Sequence, residues 1–277
     1  MDFTKSIFEN RFARKTPLLA AHRGICGANI PCNTIAAYKI AVDQGADVVE
    51  LDVSRTIDGK FFAFHPGMEP AFLKCGDYIK NMRASRVENL FLLNQDEVKT
   101  SYKIPTLAEA LDFLKGKVYI NVDKFWIDIP GITEEIRRAG VADQVIVKTS
   151  TDPSYLEQVK EYAPDFMFIP LVNEKDEVTD WLIEQGVNVI GAEVLFKTED
   201  AEVISDEYIA RMHDKGLLIW ANSIVYDERA VISAHHTDDV ALTVSPDDGW
   251  GWLIDKKVDF IQTDWLLPLR NYIESRK

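Results

Sequence analysis

Nine stretches of the chain are short, nearly continuous apolar runs: Leu18–His22, Val48–Val53, Phe61–His65, Val118–Asp123, Gln144–Thr149, Phe166–Leu171, Val189–Val194, Leu217–Asn222 and Phe260–Asp264. A run that is apolar at successive positions, rather than at every second one, fits a parallel strand buried on both faces. Amphipathic stretches fall between them, at Thr34–Gln44, Thr106–Leu114, Ile132–Ala139, Ser154–Tyr162, Glu177–Gln185 and Asp206–Lys215. Their apolar residues recur every three or four positions, as in Leu107, Ala110, Leu111 and Leu114, which predicts helices with one buried stripe. About eight such βα units in succession predict an α/β fold, a closed TIM (β/α)8 barrel. Phe61–His65 stands outside the rhythm. It follows Val48–Val53 after Asp58-Gly59, a dipeptide that favours a hairpin, so it is expected as an extra strand.

Two segments interrupt the alternation, residues 66–104 and 228–257. Both contain aromatic and apolar residues, so both are expected to fold over the catalytic end of the barrel as functional insertions. A length of 277 residues suits one barrel domain over 1–277, since such barrels run to about 250 residues. The apolar share, 47%, is enough for its core. No run approaches the roughly 20 apolar residues of a membrane span, which argues against integral membrane association. No apolar segment follows the charges of MDFTKSIFENRFARK, so no signal peptide is read. That implies the cytoplasm for a complete chain, and export only if a leader has been removed.

Charge narrows the partners. The net charge is −14, from 31 basic and 45 acidic residues, which argues against nucleic acid and anionic membranes. An anionic substrate therefore needs local cations. Of the three cysteines, Cys26 and Cys32 lie in one loop and could bridge in an oxidising compartment, but free thiols are the expectation.

Glu50-Leu51-Asp52 is the most informative triplet. On a strand, residues i and i+2 share a face with Cα atoms about 6.7 Å apart. Two carboxylates aimed into one barrel mouth repel each other and lose solvation. A hard divalent cation, Mg²⁺ or Ca²⁺, relieves both penalties. Asp123 ends the third barrel strand and supplies a third carboxylate at the same rim, the end that carries the chemistry in TIM barrels. His22 and His65 also end strands, offering two proton carriers, and Arg23 offers a planar fork for phosphate. Together these residues suit phosphodiester chemistry. His213, His235 and His236 fall on a helix and in a long loop and are weaker candidates.

With HRG, PCNT, ELDVSRTIDGKFFAFH, INVDK and FIQTDWLLP, the chain resembles the glycerophosphodiester phosphodiesterase family. That family's signature runs HRG, PENT, E-x-D, T-x-D-G, H-D, E-x-K and TD-x-P along a TIM barrel. The resemblance implies His22 and His65 as general acid and base, and Glu50, Asp52 and Asp123 as ligands of one divalent cation. It also implies Arg23 on the phosphate of a small-molecule diester. In the family's chemistry a neighbouring glycerol hydroxyl attacks first and water then opens the cyclic phosphate. Further candidate substrate contacts are Lys124, Lys148, Glu193, Trp220 and Asn222, all at or near strand ends, while Asp264 is expected only to fix a loop.

The departures from the signature are specific. Cys32 replaces a glutamate, Pro66 replaces an aspartate, and Asp123 is one methylene shorter than the usual glutamate. Lys124 lies beside the carboxylate in sequence and so points the opposite way if the strand continues. Two histidines at the rim, with His65-Pro66-Gly67 and Asp123, also suit a sphingomyelinase D-like or phosphatidylinositol phospholipase C-like barrel. The changed Cys32, Pro66 and Lys124 positions motivate a second rival, a barrel that binds a phosphate or polyol without turnover.

Overall fold

The computed structural model of the chain describes residues 5–225 and 229–276. Glu228, at the start of the second expected insertion, and the first four residues of the N-terminal stretch lie outside them. The strands are β1 (Leu18–Ala21), β2 (Val48–Arg55), β3 (Phe61–Ala63), β4 (Phe91–Leu93), β5 (Lys99–Lys103), β6 (Tyr119–Asp123), β7 (Val145–Ser150), β8 (Met167–Asn173), β9 (Gly191–Leu195), β10 (Leu218–Asn222) and β11 (Phe260–Thr263). Parallel pairing runs β1-β2-β6-β7-β8-β9-β10-β11 and returns to β1, with Leu18 opposite Phe260, and so closes an eight-stranded TIM barrel. β3 pairs antiparallel with β2, Val53 against Ala63 and Arg55 against Phe61, as the Asp58-Gly59 turn predicts.

Side chains on each strand alternate between two apolar layers. Leu18, Ala20, Val48, Tyr119, Ile146, Ile169, Ile190, Leu218, Trp220 and Phe260 fill the barrel. Their neighbours Leu19, Ala21, Val49 and Leu51 face outward onto helices, where they meet Tyr38, Ala41, Leu107, Leu111 and Ile136. Each fully buried aliphatic or aromatic side chain contributes about 1.5–3 kcal/mol, and this double layer is why the strands read as unbroken apolar runs.

Ile79, Met82, Val87, Leu92 and Ile104 of residues 66–104 form a small separate core with Phe62 and Phe64 at β3. The β4–β5 hairpin within that segment was not expected. β5 is KTSYK, polar and mostly exposed, so hydrophobic periodicity carries no trace of it. The second segment contains the helix Asp238–Thr243, a π-helical turn at Asp247–Gly251 and the helix Trp252–Asp255. It is anchored by His236, which stacks on Trp252 at 3.9 Å and bonds Glu199 Oε1 at 3.1 Å. No helix among the described residues is long and apolar enough to cross a membrane.

Candidate active site

β1 ends because the chain turns sharply. Arg23 has φ 57° and Gly24 φ 75°, and a Cβ on Gly24 would lie 2.7 Å from the backbone of Ala37. Glycine is required there by both the left-handed conformation and the close helix. The turn aims the Arg23 amide at Glu50 Oε2, 2.7 Å away, and brings Arg23 Nε to 2.9 Å from Asp52 Oδ2.

The alternation of β2 puts Glu50 and Asp52 on one face, both buried, and register pairing sets Asp52 beside Asp123 of β6. Ligand atoms of Glu50, Asp52 and Asp123 lie within 4.8 Å of one another. The strand stops at Asp123, and Lys124 adopts φ 59°. That left-handed residue turns its side chain back into the site, where Nζ lies 2.6 Å from Asp123 Oδ2 and 3.5 Å from Asp52 Oδ1. His65, after β3, brings Nε2 to 3.9 Å from Asp52 Oδ1.

Three acids here meet two fixed cations, and the imbalance perturbs the site. Burial first, then the Asp52 charge, pushes the Glu50 carboxyl up to about 8. Burial also works against ionised Asp52, but Arg23, Lys124 and His65 outweigh it and hold that carboxyl below its ordinary value. Burial opposes the charge on Lys124, yet Asp123 and Asp52 raise it above the usual lysine range. The two histidines move apart. Burial disfavours the imidazolium of His22, but the bond and charge of Asp264 and the charge of Glu50 overcome it and raise its pKa. Burial lowers that of His65, and Asp52 only partly offsets it against Arg23 and Lys124.

Asp264 corrects an expectation. Rather than fixing a loop alone, its Oδ1 lies 2.8 Å from His22 Nδ1. Asn33 was also missed: Nδ2 donates to Asp52 Oδ2 at 2.9 Å, while Oδ1 accepts the Asp52 amide at 3.2 Å and the Tyr38 hydroxyl at 3.1 Å. The Asn-Thr of PCNT was the only sequence signal for it. Cys26 and Cys32 form a disulfide, correcting the expectation of free thiols. Gly27 and Ile30 exchange backbone hydrogen bonds, so the loop doubles back and sets the two Cα atoms 4.9 Å apart, within bridging range.

The remaining expected contacts group separately. Lys148 is buried, with Nζ 2.7 Å from Glu193 Oε2 and 3.1 Å from the Trp220 ring centroid. Asn222 Nδ2 donates to Glu193 Oε1 at 2.7 Å. Burial lowers the Lys148 pKa and Glu193 partly restores it. Trp220 sits within the barrel filling, stacked on Phe260 at 4.7 Å, and does not wall a surface cleft. Both irregular segments reach the site: Phe72 and Leu92 share a small cavity with Arg23 and His65, and Asp238 binds the Asp264 amide.

Residues 22–264 match the model of the glycerophosphoryl diester phosphodiesterase family. The chain belongs to that family. It is 32% identical over 155 residues to the glycerophosphodiester phosphodiesterase of Caldanaerobacter subterraneus, a match covering 53% of this chain and 63% of that protein. A Bacillus subtilis glycerophosphodiester phosphodiesterase is 26% identical over 225 residues, covering 73% and 74%. Less than two thirds of the Caldanaerobacter protein's length is therefore spanned. Among solved structures, a glycerophosphoryl diester phosphodiesterase from Parabacteroides distasonis superposes with a TM-score of 0.76 at 20% identity, covering 94% of this chain and 87% of that one. A phosphodiesterase from Oleispira antarctica, solved with its product sn-glycerol-3-phosphate, gives 0.66 at 18%, covering 95% and 99%. These two solved structures share the barrel described above.

Proposed function

We propose that this family member hydrolyses glycerophosphodiesters to sn-glycerol 3-phosphate and an alcohol, with a divalent cation and two histidines. One observation carries the reading: three carboxylates, two fixed cations and two imidazoles converge on one barrel rim. The product bound by the Oleispira relative agrees with this choice of substrate.

The carboxylate cluster fits a hard cation, because its all-oxygen donors sit close together and its acids outnumber their cationic neighbours. Glu50, Asp52 and Asp123 would hold one Mg²⁺ or Ca²⁺, which when bound supplies Lewis-acid stabilisation of phosphoryl oxygens. Asn33 keeps Asp52 oriented. Arg23 and Lys124 provide the positive field that an anionic diester needs in so acidic a chain. Arg23 suits two phosphate oxygens at once through its fork.

Proton transfer falls to the imidazoles. One takes the proton of the attacking glycerol hydroxyl as the new P–O bond forms. The other protonates the departing alcohol oxygen as the old P–O bond breaks. The roles then reverse while water opens the cyclic phosphate, which regenerates the starting pair. Surroundings support the division of labour. At His22 the carboxylates of Asp264 and Glu50 overcome burial and favour the charged form. At His65 burial, aided by Arg23 and Lys124, outweighs Asp52 and favours the neutral form.

The test is turnover of purified protein on a panel of soluble glycerophosphodiesters and on lipid aggregates, in EDTA, Mg²⁺ or Ca²⁺. Cation-dependent release of sn-glycerol 3-phosphate from soluble substrates is expected. Absence of turnover under every condition overturns the reading.

A further inference from the structure

Asp238 opens a helix in the segment that sequence patterning could describe only as an insertion, and it is buried. Its Oδ1 accepts hydrogen bonds from Ser223 Oγ at 2.7 Å, Thr263 Oγ1 at 2.7 Å and Trp250 Nε1 at 2.6 Å. Its Oδ2 accepts the backbone N–H of Asp264 at 2.9 Å. One carboxylate thus joins the residue after β10, the last residue of β11, the insertion, and the residue whose side chain binds His22 Nδ1 at 2.8 Å.

The Asp264 side chain is 41% exposed, so little packing holds it, and the rotamers open to it are set by its backbone conformation. Fixing comes from both sides. Asp238 takes the Asp264 amide, and Thr263 Oγ1, itself donating to Asp238, accepts the Trp265 amide at 2.9 Å. Two of the four donors to Asp238, the indole and the peptide N–H, have no acceptor form. Only a group that accepts at both oxygens satisfies them all. An asparagine keeps the shape but turns an NH₂ toward one of these donors, and facing the Asp264 amide it leaves that N–H without a partner.

We propose that Asp238 is a positioning residue for the proton-transfer pair: through the Asp264 backbone it sets the direction from which Asp264 holds the His22 ring. The inference rests on the reading of His22 as a proton carrier. It gives the second insertion a part in the reaction although none of its described residues is among the groups assigned to phosphate or cation.

The experiment is a double-mutant cycle on the full chain with sn-glycero-3-phosphocholine and the activating cation, with His22→Ala run in parallel. Asp238→Asn is expected to lower kcat by about 10–100-fold, the usual range for outer partners of an active group, with KM within about 2-fold. Adding Asp238→Asn to Asp264→Asn is expected to cost less than about 2-fold more, since its route of action is already gone. Unchanged kcat in folded Asp238→Asn, or losses that multiply in the double variant, overturns the proposal. Should Asp238→Asn not fold, Trp250→Phe removes one donor: a smaller kcat loss that vanishes in the Asp264→Asn background supports it, and an equal loss in both backgrounds overturns it. Full turnover by His22→Ala removes the underlying reading and this inference with it. Loss of turnover there beside an unaffected Asp238→Asn removes only the inference.

Discussion

The two ends of the barrel handle buried acids in opposite ways. At the N-terminal end, Asp259 has Arg11 Nε and His213 Nε2 each at 2.8 Å, and it accepts the Ile219 amide. Asp47 likewise has Arg14 at 2.6 Å and the Leu19 amide at 2.9 Å. Each acid there has its own cation and tethers a strand start. At the C-terminal rim, Glu50, Asp52 and Asp123 share Arg23 and Lys124, and Glu50 is driven up to about 8. The same residue type stabilises where it is matched and is left strained where it is not. Such unmatched charge marks a site built to receive something.

The largest effects separating the ends concern catalysis. His22→Ala and His65→Ala are each expected to lower turnover by about 10²–10⁴-fold while the circular dichroism spectrum and melting temperature stay near wild type. Near-normal turnover in either variant removes that histidine from the mechanism.

Next comes the opposite end. Asp259→Asn breaks a buried ion pair and is expected to cost about 3–5 kcal/mol of stability, with kcat of the folded protein unchanged. Denaturant titration alongside an activity assay checks this, and a loss of kcat without a loss of stability contradicts it.

Glu50 gives a pH signature. Native Glu50 keeps its proton to about pH 8, whereas an ordinary glutamate loses it near 4.5. Across that window unfolding releases a proton, so rising pH favours the unfolded chain and stability falls. In EDTA, Glu50→Gln is therefore expected to match wild type near pH 5 and to exceed it by on the order of a few kcal/mol at pH 8. A divalent cation should raise the wild-type melting temperature far more than that of the variant. Parallel pH curves for the two proteins in EDTA would count against the unmatched-charge account.

The smallest expected effect is that of the bridge beside the rim. Replacing Cys26 and Cys32 by serine closes no new contact and frees a short loop, costing about 2 kcal/mol by chain-entropy reasoning. Thermal melting with and without reductant measures it, and identical melts would show that the bridge adds no stability.

Much of this is legible in the sequence. All eight barrel strands and β3 lie where apolar runs predict them, because a strand buried on both faces is apolar at most of its positions. Glu50 and Asp52 sharing a face follows from the two-residue period of a strand. Lys124 was less readable, since alternation points it away from Asp123 and only the left-handed backbone after β6 brings it back. Trp220 misled for a related reason: its place near a strand end suggested the mouth, but its register puts it within the filling. The β4–β5 hairpin and the Cys26–Cys32 bridge depend on turns inside irregular segments, where periodicity carries no signal.

Sequence by itself determined the barrel, the chemistry-bearing residue types and the face on which the β2 acids lie, because strand alternation and amphipathic spacing are local properties of a chain. Tertiary structure decided which groups touch. Asp264 and His22 are 242 residues apart in sequence and 2.8 Å apart in space, and Asp238 reaches the Asp264 amide only through packing. Hydrogen bonds and charge interactions depend on distance through space, so the balance of acids, cations and imidazoles at the rim exists only once the barrel has closed.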